Sequence, residues 1–210
     1  MTTPKTGLNA LIDDAVECLR NGGVAALPTD TLYALSAAAH DAAAVQRVYA
    51  IKGREDGKPL PLFVDGMMMA ERVAQLDNRA RVLGWRFWPG PLTIVCSKQP
   101  GFASDALAGG ETVALRVPDN SITLDIIERL GSPITGTSAN RSGGADPASP
   151  EEVRTQLGEE VDIIFDDGPS PVGISSTIVD CSGPELRILR QGVVSAAAIA
   201  EALAPPAELT

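Results

Sequence analysis

Gly22-Gly23-Val24-Ala25-Ala26-Leu27-Pro28-Thr29-Asp30-Thr31-Leu32-Tyr33 changes character twice within a short span. The paired glycines stop whatever precedes them. Residues 24–27 form an apolar run of strand length, and Pro28 ends it. Behind that strand a carboxylate, Asp30, stands between two hydroxyls, Thr29 and Thr31. Sheets flanked by helices place ligands at strand ends, so short polar side chains there suit the polar groups of a small molecule. The same residues also read as a turn in which Asp30 bonds its own backbone. Upstream, Leu8, Leu11, Ile12, Ala15, Val16 and Leu19 recur at helical spacing, which predicts an amphipathic helix before the glycines.

Downstream the alternation of helix and strand continues. Asp41 can cap a second helix to Ile51, which delivers Lys52, Gly53 and Arg54 at its end. Residues 60–64, 92–96, 112–117, 133–135, 161–165, 176–180 and 186–189 read as strands. Residues 67–76, 78–87 and 122–130 read as helices, the last capped by Asn120 or Ser121. Ser149-Pro150-Glu151-Glu152 is a helix start with a capping hydroxyl, proline at the first helical position and an acidic first turn. Ser195 caps a final helix to Leu203, before Pro205-Pro206. No linker or repeat interrupts the series. The expected fold is one α/β domain over residues 8–203 with a twisted mixed sheet, and 204–210 as a short tail.

Composition narrows the function. The hydrophobic fraction is 44% and the charged fraction 21%, as in an ordinary globular chain. No apolar run has the roughly 20 residues of a bilayer span, and acids interrupt the apolar N-terminal stretch, so no membrane association and a cytoplasmic location are expected. Cys18, Cys96 and Cys181 are isolated and His40 is the single histidine, which argues against a Cys/His zinc site. His40 reads as a solvated loop residue. The net charge of −10 disfavours non-specific nucleic-acid binding. Yet Lys52, Arg54, Lys58, Arg116, Arg141 and Arg190 all lie in or beside Gly/Pro/Ser/Thr-rich stretches, while acids concentrate in helical ones. A basic pocket in an acidic shell follows, suited to a small anion.

Neither G-x-x-x-x-G-K-[S/T] nor G-x-G-x-x-G occurs, so the usual nucleotide fingerprints are missing. Gly136-Thr137-Ser138-Ala139-Asn140 approaches the hydrolase elbow G-x-S-x-G but ends in Asn, and His40 precedes it in the wrong order for that triad. Lys52-Gly53-Arg54 with Lys58-Pro59-Leu60 reads as a phosphate site, with arginine's planar fork beside point charges, or as a solvated helix end. Ser138-Ala139-Asn140-Arg141-Ser142-Gly143-Gly144 reads as a loop able to present backbone N–H groups to an anion, or as a polar turn.

In order along the chain stand P-T-D-T-x-Y from Pro28, K-G-R-x-x-x-K-P-L from Lys52, P-G-P-L-T from Pro89, A-L-R-V-P from Ala114, S-A-N-x-S-G from Ser138, S-S-T-I-V-D from Ser175 and L-R-Q-G from Leu189. Together they resemble the YrdC/TsaC family of threonylcarbamoyl-adenylate synthases, in its short single-domain form. Ala34, where the family usually has Gly, and Thr137, where many members have Pro, are departures. The resemblance implies a YrdC-like fold around a basic cavity. It implies condensation of L-threonine, bicarbonate or CO2 and ATP to threonylcarbamoyl-AMP and pyrophosphate, with Mg2+ accompanying ATP. A downstream threonylcarbamoyl-transferase would then act on tRNA next to the anticodon. Carried over by motif, Thr31, Arg116, Gly136 and Ser176 would bind threonine. Arg54, Lys58, Thr112, Ser138, Asn140, Asp146 and Arg190 would bind ATP. Lys52 and Arg54 would act electrostatically in catalysis, with no general base assigned and no metal ligand from the protein. Two other functions occur on this fold. One is an RNA-binding or ribosome-maturation module, which the acidic charge opposes. The other is a carbamoyl-transfer domain of the hydrogenase-maturation type, whose usual zinc-finger-like cysteines are missing here.

Overall fold

Side-chain caps set most helix starts in the computed structural model, which describes residues 7–54 and 57–204. The first helix, α1 (Leu8–Arg20), buries Ile12, Ala15, Val16 and Leu19. Leu8 and Leu11, read as part of the same stripe, are more than half exposed, so the buried face is narrower than the spacing predicts. Then come β1 (Ala25–Leu27), β2 (Ala34–Ser36) and α2 (Ala42–Lys52), capped by Asp41 through the Ala44 N–H. Gly53 follows in the left-handed region at φ 56, where a side chain would be strained, and so turns the chain toward Arg54. Next are β3 (Leu62–Phe63), α3 (Met67–Val73), β4 (Ala74–Gln75), α4 (Asn78–Phe87), β5 (Leu92–Lys98) and β6 (Thr112–Arg116). Asn120 caps α5 (Ser121–Leu130) by accepting from Ile122 and Thr123. The rest is β7 (Ile134–Thr135), β8 (Thr137–Ser138), α6 (Pro150–Leu157), β9 (Ile163–Ile164), β10 (Thr177–Asp180), β11 (Arg187–Arg190) and α7 (Ala196–Leu203). Ser149 and Ser195 cap α6 and α7 as expected, each such cap contributing about 1 kcal/mol.

The strands divide between two mixed sheets. The smaller runs β8-β2-β1-β9; the larger runs β11-β10-β5-β6-β3-β7, with β4 beside β5. In the larger sheet Thr93 pairs with Ile178 on one side, Ile94 pairs with Leu115 on the other, and Phe63 pairs with Arg116. Side chains alternate across a strand. Leu92, Ile94, Cys96, Val113, Leu115 and Val179 therefore form one buried face, part of the hydrophobic core. The opposite face carries Phe63, Thr93, Val95, Ala114, Arg116 and Ile178, and these line a cavity. Thr31, Ala34 and Ser138, from the smaller sheet and its loops, wall the same cavity. The expected tail lies outside the described residues except for Ala204.

Candidate active site

The cavity has a volume of about 400 Å³. Arg116 lies on its floor, 4% exposed. Its Nε donates to Gly90 O at 3.0 Å, Nη1 to Thr31 Oγ1 at 2.8 Å and Nη2 to Asp30 Oδ1 at 2.5 Å. A guanidinium has five N–H donors, so two remain for a ligand. Burial pulls the Arg116 pKa down, the Asp30 carboxylate opposes that, and nearby Arg190 adds to the lowering. Asp30 does not bond its own backbone, as the turn reading had it. Its Oδ1 also accepts from the Asp119 N–H at 3.0 Å. Its charge makes the burial of Arg116 tolerable. The Phe63 ring lies 5.6 Å below the Arg116 guanidinium carbon. A Cβ at position 136 would overlap that ring, so Gly136 is what lets the β7–β8 turn close on Phe63.

The hydroxyls around this floor have distinct donor states. Thr29 donates to Leu32 O at 2.7 Å and accepts from the Thr31 and Leu32 N–H groups. Thr29 Oγ1 also lies 3.0 Å from Thr31 Oγ1. Thr31 Oγ1 accepts from Arg116 Nη1 and keeps a second lone pair. Ser176 Oγ lies 2.9 Å from Thr93 Oγ1 and accepts from Arg190 Nη2 at 3.2 Å. Arg190 also donates twice to Ser176 O. Burial lowers the Arg190 pKa and Asp146 opposes it.

A second pocket, about 500 Å³, is lined by Lys52, Arg54, Lys58, Ser138, Asn140 and Asp146 among others, and shares Arg54 and Ser138 with the first. Lys52 lies buried at 3% exposure, with its Nζ donating to Ser138 O at 2.5 Å, Asn140 O at 3.0 Å and Asn140 Oδ1 at 3.0 Å. All three ammonium protons are committed, so Lys52 fastens the Ser138–Asn140 turn rather than offering a bare cation. Burial, then the Arg54 charge, push its pKa down to about 8, against Asp146. Asn140 passes the contact on, donating to Gly144 O at 2.8 Å and Asp146 Oδ1 at 3.3 Å. Asp146 Oδ2 accepts from Ser175 Oγ at 2.8 Å and ties this loop to the one before β10. Arg54 is held by Lys58 O and Pro59 O.

All the residues carried over by motif line one pocket or the other. Thr31, Arg116, Gly136 and Ser176 converge on the first, with Thr112 and Arg190. Lys58, Asn140 and Asp146 belong to the second, and Arg54 and Ser138 join the two. Two expectations fail. Arg141 faces outward, donating to Ile51 O and paired with Glu160, because the loop turns its side chain away from both pockets. The loop's backbone N–H groups at Asn140, Ser142 and Gly144 are spent on Ser138 O, Lys52 O and Arg141 O and do not point at an anion. His40 is exposed, as expected, with its ring edge-on to Phe102. Asp30 and Thr93 are site residues for which the motifs assign no role.

The Sua5_yciO_yrdC family model, described as Telomere recombination, matches residues 17–192. The chain belongs to the Sua5/YciO/YrdC family. Within it, the chain is 35% identical over 196 residues to the threonylcarbamoyl-AMP synthase of Bacillus subtilis, covering 92% of this chain and 57% of that one. It is 37% identical over 193 residues to the putative threonylcarbamoyl-AMP synthase of Mycobacterium tuberculosis, covering 91% and 88%. The P. abyssi Sua5 crystal structure with L-threonine superposes with a TM-score of 0.89 at 32% identity, covering 95% and 58%. E. coli YciO superposes at 0.81 and 29% identity, covering 91% and 94%. The chain thus spans a little over half of the longer Sua5/YciO/YrdC relatives and nearly all of the shorter ones.

Proposed function

We propose that the chain is a threonylcarbamoyl-AMP synthase, joining L-threonine, bicarbonate or CO2 and ATP. The observation that carries this reading is the floor of the cavity. A buried guanidinium there, fixed by three acceptors, keeps two donors in hand, which suits an amino acid carboxylate. The relatives' names and the threonine in the P. abyssi structure support the same substrate.

Threonine would lie with its carboxylate on Arg116 and its side chain among Thr31, Ser176 and Thr93. Its amine takes up CO2 and releases a proton to give a carbamate. A carbamate oxygen then bonds to the α-phosphorus of ATP, and the bond from that phosphorus to the bridging oxygen breaks, releasing pyrophosphate. Both partners are anions; at 4 Å two like charges repel by about 4 kcal/mol at an effective dielectric near 20. Arg54, Lys58 and Arg190 would offset that repulsion. Positioning and charge supply the catalysis, since the carbamate oxygen is already anionic. Magnesium would arrive on the ATP phosphates. The donor set fits that: among the described residues Asp146 is the one carboxylate lining the second pocket, and both its oxygens already accept hydrogen bonds.

The adenylate would pass to a transferase acting on tRNA in the cytoplasm. Among the described residues no helix is long and apolar enough to cross a membrane. Direct RNA binding is disfavoured because outward arginines such as Arg47, Arg81, Arg129, Arg141 and Arg154 each have a carboxylate partner. The test is pyrophosphate release from ATP with each amino acid, with and without bicarbonate. Release should need both threonine and bicarbonate; equal release without threonine overturns the reading.

A further inference from the structure

A substrate hydroxyl deep in a protein needs one acceptor for its proton and one donor for its oxygen. The cavity holds both kinds. Thr31 is an acceptor, because Arg116 fills one lone pair of its Oγ1 and a second remains. The donor must come from elsewhere. Arg116 has its remaining N–H groups for the carboxylate. Ser138 Oγ donates to Asn140 Oδ1 at 2.7 Å and so has no proton to give.

Of the buried hydroxyls that line the cavity, that leaves Thr93, Thr137 and Ser176. Thr137 stands on β8 of the smaller sheet, whereas Thr93 stands on the strand beside Arg116 and is bonded to Ser176. Thr93 is 3% exposed and lines the cavity. On β5 it stands one residue beyond the Ile94–Leu115 pair of the antiparallel ladder with β6, which places it opposite Arg116 and on the same face. Its single side-chain hydrogen bond among the described residues is to Ser176 Oγ. Ser176 Oγ accepts from Arg190 Nη2, and an oxygen that accepts from a cation is a stronger donor onward. The favoured direction is therefore Arg190 to Ser176 to Thr93, leaving the Thr93 O–H proton to point at whatever occupies the floor.

We infer that Thr93 is a specificity-determining residue that donates to the side-chain hydroxyl of a β-hydroxy amino acid, opposite the acceptor Thr31. This rests on the amino acid reading of the cavity. A valine in the same place leaves both Thr31 and Thr93 without a partner, which is how a buried polar pair rejects an isostere. The rival role for the same proton is a donor to the carboxylate beside Arg116, and the two roles separate by substrate.

The experiment is calorimetric titration of the full chain with L-threonine, L-serine and L-valine, for the unaltered protein and for Thr93→Val and Thr93→Ser. Thr93→Val keeps the shape and removes the proton. It should weaken threonine and serine by about 10- to 100-fold and change valine by less than about threefold. Thr93→Ser should keep the preference of threonine over valine. An equal loss for all three amino acids with Thr93→Val assigns the proton to the carboxylate and overturns the inference. So does no loss at all, or a lost preference in Thr93→Ser. Should Thr93→Val not fold, Thr93→Ala is read by the same criteria. If the unaltered protein binds no threonine, the functional reading itself fails, an outcome distinct from these.

Discussion

On the floor of the cavity, Thr93, Arg116 and Phe63 stand on neighbouring strands, and the ladder sets their spacing. At the mouth, Lys52, Asn140, Asp146 and Ser175 sit at a helix end and in loops, and hold one another by side-chain hydrogen bonds. The floor keeps donors open for a ligand with the backbone already in place. At the mouth Lys52 and Asn140 spend their donors within the protein, while Arg54, with two of its five N–H groups bonded, keeps three for a polyphosphate. Strand pairing sets the floor and side-chain bonds between loops set the mouth, which makes the mouth the more adaptable half of one site.

The largest expected effect comes from removing the floor's cation. Arg116→Ala should reduce kcat/KM for threonine by more than roughly 100-fold. It should also destabilise the fold by about 3–5 kcal/mol, because Asp30 is left buried and unpaired. Combining it with Asp30→Ala should restore part of the melting temperature and none of the threonine affinity. If threonine affinity returns as well, the floor is not a carboxylate site.

Substitution at the mouth should be milder and confined to the nucleotide. Arg54→Lys replaces a planar fork by a point charge. It should weaken a non-hydrolysable ATP analogue by about tenfold in a titration, with threonine affinity and melting temperature unchanged. Equal weakening of threonine would mean that floor and mouth are not separable.

The smallest effect is a pH dependence. Burial pushes the Lys52 pKa down to about 8 from its ordinary 10.5. The unfolded chain therefore binds that proton more tightly, and the Lys52 contribution to stability rises with pH between about 8 and about 10.5. The turn it fastens responds in the opposite sense, since a neutral amine has two N–H groups for three acceptors. Affinity for the ATP analogue should fall by about three- to fourfold between pH 7 and 8.5, without a matching fall in melting temperature. A flat profile would show that the Ser138–Asn140 turn holds its shape without the third bond.

What the sequence revealed follows the same division. Helices were legible because Asp41, Asn120, Ser149 and Ser195 announce them locally, and each makes its cap. β2, β4 and β8 are not. β4 lies in residues 67–76, which read as one helix but end as a helix at Val73. β2 follows the polar stretch 29–31 and β8 falls in the polar stretch 136–144, so their partners alone reveal them. The residues carried over by motif converge on the two pockets. Thr93 went unassigned because a threonine inside a strand is an ordinary β-former until its neighbouring strands are known. Arg141 was placed in the basic pocket because composition cannot tell which way a loop turns its side chain. The division of the strands into two sheets, and so the cavity between them, depends on pairings far apart in sequence.

The alternation along β5 has a consequence for how the protein tolerates change. Leu92, Ile94 and Cys96 face the core, while Thr93 and Val95 face the cavity. Two selective pressures, one on folding and one on chemistry, thus act on every other position of a single strand. A survey of substitutions along it would show a period of two, with loss of soluble protein at the even numbers and loss of catalysis in intact protein at the odd ones. Slipping the strand by one position would exchange the two sets and forfeit both.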